Sequence, residues 1–453
     1  MTTGHTTFMI HMCWGRRATS TATQAAHTPA SASNAQHTGV VQEGKSAVES
    51  IGPSVRGAGC ARIFGGRAGP DATVGSMRVL VIGAGVAGAS VAWSLTRRGA
   101  EVVVVDRLHD GAATLAGAGI VRASLGITEP GFVEAYAAAV RHYPEAIRDL
   151  GDASGRDVAD EVGYRVVGGL WLSADDDALA DVEARLRAFD AAQVGTVSRL
   201  DPAQAHDAFP AAAADLAAVH VTQAARVDGR RLRLALLAAA RAHGAVVHDD
   251  DARLSPAGAA AELGSGERID ADHVVVAAGT WTPEVLAPRG VSVPITPQRG
   301  QISHLGLPGT DTSRWATATA IGSSHYLLAF DDSRVVVGAT RERDAGTDYR
   351  VTAAGQAEVL REALAVAPGL ADATLLETRV GFRPTSPDGV PIVGRVADDV
   401  TVVTGFGASG LTLGPYVGER VADDVLGLGP DDTPGPPRAL AAFDPSRFTT
   451  GSR

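Results

Sequence analysis

Residues Val79 to Leu95 read VLVIGAGVAGASVAWSL, an apolar β-branched run that breaks into Gly83, Gly85 and Gly88 and resumes in helix-favouring residues. That order predicts a strand, a tight turn and a helix built to hold a dinucleotide. Gly83 permits the turn, Gly85 lets the backbone approach a pyrophosphate, and Gly88 allows the helix to pack closely on the strand. Val86 and Ala87 open the helix, whose N-terminus offers unpaired N–H groups and a positive dipole end to phosphate. A second strand, Glu101 to Val105, ends at Asp106, placed to accept ribose hydroxyls, with Arg107 beside it.

The 453 residues carry a formal net charge of -11, and the basic residues form no run that would track a phosphate backbone. Nucleic acid is therefore not an expected partner. No apolar run approaches the ~20 residues needed to span a bilayer. Residues 1–76 are rich in Ser, Thr, Ala, Gly and His without helical or strand period and are expected to be a disordered extension. Phe8 to Trp14 is too brief for a secretory apolar region, and Arg16-Arg17 is followed by polar residues, so a cytoplasmic location is expected. Both cysteines, Cys13 and Cys60, and the single lysine, Lys45, lie in that segment. Disulfides, thiolate chemistry, cysteine metal sites and lysine catalysis are thereby excluded from residues 77–453.

Further along, Phe132 to Leu150 and Asp228 to His243 have helical spacing, and Asp175 is placed to cap a helix running to Ala191. Gly163 to Ser173 alternates as a strand pair, and His273 to Ala277 reads as a buried strand ending in Ala278, Gly279, Thr280 and Trp281. Val293 to Val337 is mostly strand, Ala353 to Ala367 is a helix, and Val400 to Leu426 runs strand, glycine-rich turn and helix. Strand and glycine-turn units this far from the first motif imply a nucleotide domain interrupted twice. The expected division is 77–162, 224–292 and 376–429 for that domain, 163–223 and 293–375 for a second one, and 430–453 for an extended C-terminal tail.

These segments together resemble the FAD-dependent D-amino-acid oxidase and glycine/sarcosine oxidase superfamily. Besides the first motif, the resemblance rests on AATLAGAGIV (Ala112 to Val121), HVVVAAGTW (His273 to Trp281), PITPQRGQI (Pro294 to Ile302), VVVGATRE (Val335 to Glu342), RVGFRPTSPDGVPIVGR (Arg379 to Arg395) and VVTGFGASGLTLGP (Val402 to Pro415). It implies an α/β fold: a Rossmann-like FAD-binding domain with an inserted α+β substrate domain on a mostly antiparallel sheet. It also implies FAD as cofactor. Thr114, Gly117 and Gly119 would pass close to the isoalloxazine, and Ala278 and Gly279 would pack under the pyrophosphate. Trp281 would cover part of the flavin, and the N–H groups of Ser409, Gly410, Leu411 and Thr412 would face its N1 and O2 edge. Many relatives carry histidine where this chain has Phe406. With no cysteine beyond Cys60, FAD is expected to be held non-covalently.

The implied reaction is oxidation of the C–N bond of glycine, sarcosine or a small D-amino acid, with O2 or a quinone or carrier protein as electron acceptor. Arg383, in GFRP, stands where the family grips the substrate carboxylate, and a planar guanidinium does this with two parallel charge-assisted bonds. Its competing role is an ion pair to a neighbouring acid. Tyr326, in HYLLAF, matches a tyrosine on the same side of the substrate. No general base stands out. His304 and His325 read more readily as packing or surface residues. Alternatives of the same fold are a flavin hydroxylase, which would carry a GD motif absent from GFGASG, and a non-catalytic FAD-binding subunit. A homo-oligomer is compatible with all of these.

Overall fold

The computed structural model describes residues 76–428 and 438–448; the expectation of disorder for the N-terminal extension falls on residues outside these, apart from Ser76. The β-branched runs form a six-stranded sheet in the order Ile392–Ala397, Val400–Thr404, His273–Val276, Arg78–Ile82, Glu101–Val105, Val246–His248. Every neighbouring pair is parallel except the edge hairpin made by Ile392–Ala397 with Val400–Thr404. Strands such as VVVV and HVVV are apolar on both faces because a parallel sheet is covered on both. The order reverses at Arg78–Ile82, the point where such sheets take a ligand outside their carboxyl ends.

One face is covered by helices Val86–Thr96, Pro130–Ser154, Gly229–Ala242 and Gly410–Val425. Val86–Thr96 is buried at every position. It meets Gly410–Val425 so closely that a Cβ at Gly418 would lie 2.5 Å from the Ser90 Cβ. Overpacking that seam costs typically 1–3 kcal/mol. Asp228 caps Gly229–Ala242 by accepting from the Arg230 and Arg231 N–H groups, as its position in the sequence implies. Glu129 caps Pro130–Ser154.

The second layer is an eight-stranded sheet ordered Thr374–Thr385, Thr296–Gly306, Arg334–Gly338, Tyr326–Phe330, Thr317–Ala320, Gly169–Ser173, Ala217–Val221, Val197–Leu200. It is antiparallel except where Thr317–Ala320 runs parallel to Gly169–Ser173. The period of two assigns its faces. Leu327, Ala329, Val335 and Val337 pack with Val359 and Ala363 of helix Ala353–Val366. Tyr326, Leu328, Phe330 and Val336 turn the other way, against Ala118 and Ile120. This α/β architecture matches the expected fold class.

The segment before His273 forms a three-stranded antiparallel sheet of Ala252–Leu254, Ala260–Leu263 and Arg268–Asp270. One local expectation is corrected. The C-terminal segment is not an extended tail over 438–448. Leu440 and Phe443 are fully buried, Phe443 meets Phe132 edge-on at 5.5 Å, and Arg447 donates to Asp388 at 2.8 Å. Two apolar side chains in a Pro-rich stretch are a weak pattern, yet they fill a gap beside the helix Pro130–Ser154.

Candidate active site

The first glycine turn does its work through close approaches. Gly83 has φ +94°, and a Cβ there would stand 2.5 Å from the Ala277 carbonyl oxygen. A Cβ at Gly88 would stand 1.9 Å from the Gly83 oxygen, so only glycine lets the helix leave the strand at this angle. Gly85 precedes the helix, whose first turn contains no acidic residue to neutralise the dipole. Thr114, which follows the second strand's loop, accepts the Val86 N–H at 2.9 Å. That hydroxyl ties the loop to the helix start.

Asp106 is mostly buried. One carboxylate oxygen accepts from Arg233 at 2.7 Å, while the Arg233 Nε donates to the Ala84 carbonyl at 2.6 Å. Arg233 was not legible as a site residue, since it sits on an ordinary amphipathic helix. Arg107 is exposed and paired with Asp251 at 2.7 Å. Asp106, Arg107 and Asp251 border a cavity of about 810 Å³ together with Gly83, Gly85, Val86, Ala87, Thr114, Ala278, Gly279, Trp281 and Gly410. Gly279 (φ +57°) has open space where a Cβ would project. The Trp281 ring is stacked on His109 at 4.4 Å and meets Phe382 edge-on at 6.3 Å, so His109 covers one of its faces. Phe406 also borders this cavity.

A smaller cavity of about 350 Å³ shares Val86, Ala113, Thr114, Gly407 and Gly410 with the larger one. Gly117, Gly119, Leu411, Tyr326 and Arg383 border it. The Gly119 turn is again a close approach, its Cβ position lying 1.7 Å from the Val227 oxygen. Gly88, Ser409 and Thr412 border neither cavity. The Ser409 N–H is given to the Phe406 carbonyl at 2.8 Å, and the buried Thr412 hydroxyl bonds the Ile120 carbonyl at 3.2 Å. The free donors at this helix start are therefore the N–H groups that follow Ser409, not the Ser409 N–H itself. His304 borders neither cavity. Burial, with Arg379 and Arg334 nearby, pushes its imidazole down to about 3, and Arg334 lies 2.9 Å from its Nδ1.

Arg383 lies on the strand face that carries Gly381, where the helix Ala113–Ala116 packs, Gly381 having no room for a Cβ beside Ala116. Its guanidinium is laid flat across Gly300, as a Cβ at Gly300 would come within 2.5 Å of Nη1 and 2.7 Å of Cζ. Nη1 donates to the Thr340 carbonyl at 3.1 Å. No described acid forms an ion pair with it. Glu342, whose charge is felt at Arg383, is taken by Arg299 at 2.5 Å and by Gln301 and Thr340. Burial pulls the Arg383 pKa down, opposed by its contact with the Tyr326 phenol; burial raises that phenol, which stays protonated at neutral pH. The ion-pair role weighed for Arg383 is thus not the one observed. Arg122, Arg341 and Trp171 also border this cavity. None of the three is among the site residues expected from the sequence.

The sequence profile of the FAD dependent oxidoreductase family matches residues 78–424. The chain belongs to this family. It is 40% identical over 359 residues to an uncharacterized oxidoreductase, YurR, of Bacillus subtilis, covering 77% of this chain and 94% of that one. It is 30% identical over 379 residues to a glycine oxidase of Pseudomonas aeruginosa, covering 80% and 98%. Among solved structures, iminodiacetate oxidase from Chelativorans sp. BNC1 superposes with a TM-score of 0.76 at 45% identity, covering 81% of this chain and 99% of that one. FAD is the cofactor of this oxidoreductase family. The larger cavity fits it: a glycine turn, a helix start free of acids, and an acidic side chain at the next strand end are the parts a dinucleotide requires.

Proposed function

We propose that the protein oxidises the C–N bond of a small amine bearing a carboxylate, in the class of glycine, sarcosine, a D-amino acid or iminodiacetate. The observation that carries this reading is Arg383: a guanidinium without an acid partner, laid on Gly300, in a cavity continuous with the dinucleotide turn. The iminodiacetate oxidase and glycine oxidase relatives support the substrate class.

In this reading Gly83, Gly85, Val86 and Ala87 hold the FAD pyrophosphate with Ala278 and Gly279, and Gly88 lets the helix pack close enough to present its start. Asp106 uses its second carboxylate oxygen for the ribose, with Arg107 at the rim. Thr114, Gly117, Gly119 and Trp281 border the ring system, and the helix start at Gly410, Leu411 and Thr412 directs N–H groups to its polar edge. No cysteine exists in 77–453 to form a thioether, so FAD is held non-covalently. When bound, FAD accepts the two electrons that leave the substrate as hydride.

The chain's own part is positioning. Arg383 grips the carboxylate with a two-point fork, fixing the rotation of the substrate's Cα–H bond. Tyr326, kept protonated by burial, adds one donor to the same carboxylate side. Among the described residues, no His, Asp, Glu or Lys borders the smaller cavity. The amine must therefore be neutral when it reacts, its lone pair assisting loss of hydride without a protein base. Orientation of this kind can supply on the order of 7–11 kcal/mol of a barrier. Water then hydrolyses the imine to a 2-oxo acid and an amine. Dioxygen or a quinone or carrier protein takes the electrons, and the location is cytoplasmic. Anaerobic mixing of purified yellow protein with a panel of carboxylated amines, followed by air, tests the reading. Bleaching by at least one of them is expected, while reduction by none, or equally by amines lacking a carboxylate, overturns it.

A further inference from the structure

We infer that the smaller cavity takes an amine with two carboxylates, Arg383 holding one and Arg122 the other. This rests on the reading of that cavity as the substrate site and narrows it. Arg122, two residues beyond the small-residue loop that ends at Ile120, borders the same cavity as Arg383. Its Nη2 donates to Thr319 Oγ1 at 2.5 Å and its Nη1 reaches Thr317 Oγ1 at 3.5 Å. Its Cζ sits over the Trp171 ring at 4.3 Å. Two hydroxyls and an aromatic face orient a guanidinium but do not neutralise it.

Arg122 is half-buried, and its contrast with the buried arginines among the described residues is what makes this informative. Arg226 is paired with Asp331, Arg299 with Glu342 and Arg334 with Asp228. A buried charge is ordinarily matched in this way, because an unmatched one is costly. Arg122 forms no ion pair with any described residue, and burial brings its pKa down to about 10. The cavity as a whole repeats the pattern. Arg122, Arg341 and Arg383 border it and no described Asp or Glu does, although the chain carries 51 acidic residues against 40 basic ones. A monocarboxylate would satisfy Arg383 and leave Arg122 unmatched, whereas a dianion matches both.

The test uses holoenzyme and redox-inert probes, so that binding is read without turnover. Diglycolate carries carboxylates on either side of an ether oxygen, and succinate carries them on one carbon chain; methoxyacetate and butyrate are their monocarboxylate counterparts. Dissociation constants come from calorimetry and from perturbation of the flavin spectrum. At least one dicarboxylate should bind about 30-fold or more tighter than its counterpart, the lower end of what one buried charge partner confers. Which of the two is preferred tells whether the second carboxylate lies across the nitrogen or along the carbon chain. Arg122→Met should bring the preferred pair to near-equal affinity, and Thr319→Val should erode the preference partway. Equal affinities within both pairs in the parental protein overturn the inference without any variant, as does a preference that survives Arg122→Met. Monocarboxylates bound in an Arg383-dependent way with no dicarboxylate preference defeat only this inference. No carboxylate binding at all defeats the proposed function with it.

Discussion

Replacing Gly300 by alanine changes no functional group, yet it should disable the site. The added Cβ would stand 2.5 Å from Arg383 Nη1, 2.6 Å from Nη2 and 2.7 Å from Cζ. Carbon contacts settle at roughly 3.5–4.0 Å, so the guanidinium must move by about 1 Å. It can, because it is the end of a flexible side chain, and the strand itself need not shift. Alanine is also the better strand residue, by roughly 0.5–1 kcal/mol. The fold should therefore keep or gain stability while the carboxylate fork is misplaced. A misplacement of about 1 Å costs on the order of 100-fold in rate, or about 2.7 kcal/mol in the barrier. Stopped-flow reduction of the flavin under anaerobic conditions reads this directly, with FAD content and Tm as controls. In an Arg383→Ala background the same substitution should add almost nothing, since both changes act on one contact. Parental reduction rates in Gly300→Ala, with Arg383 intact, would refute the reasoning.

Gly85→Val should give protein almost free of FAD, since a side chain would occupy the approach to the pyrophosphate, while Asp106→Ala should lose FAD only partly, one charged hydrogen bond being worth roughly 1.5–3 kcal/mol; flavin released by acid precipitation measures both, and full FAD content in the two variants contradicts the assignment. Acid should destabilise the fold ahead of any carboxylate titration. Burial holds His273 down to about 4, with its Nε2 2.9 Å from Thr401 Oγ1, and burial with Arg379 and Arg334 holds His304 down to about 3. Their unfolded values lie near 6.5, so the unfolded chain binds more protons between those limits. Stability is full above about pH 6.5 and is lost as pH falls toward 4, by roughly 2 kcal/mol for His273 at pH 5. Thermal unfolding of the holoprotein between pH 7.5 and 5 checks this, and an unchanged Tm contradicts it.

What could be read from the sequence follows from how local each signal is. The turn at Gly83, the caps at Asp175 and Asp228 and the buried runs VVVV and HVVV are fixed by residues adjacent in the chain, and their structures follow those patterns. Arg383 was singled out because it sits in a recognisable segment, but the reason it lies in place, Gly300 on the neighbouring strand, is a cross-strand relation that no window of sequence contains. Arg233 and Arg122 escaped for the same reason. Each is anchored by groups over 100 residues away in sequence, Asp106 for one and Thr319 for the other. Residues 438–448 were misread because Leu440 and Phe443 gain their meaning only from the helix they cover. The helix start after Ser409 was read correctly as an element, whereas the occupation of the Ser409 N–H by Phe406 depends on turn geometry.

The most direct test of the central claim is the rate of anaerobic flavin reduction by carboxylated amines in Arg383→Ala compared with the parental protein. Truncating one member of a buried charged pair costs about 2–5 kcal/mol, equivalent to roughly 30-fold to several-thousand-fold. Arg383→Ala should keep its FAD and lose at least tens-fold in that rate, Arg383→Lys should recover little because a point charge replaces a fork, and amines without a carboxylate should be far less affected. Reduction of the Arg383→Ala flavin at the parental rate would contradict the account and place the carboxylate elsewhere.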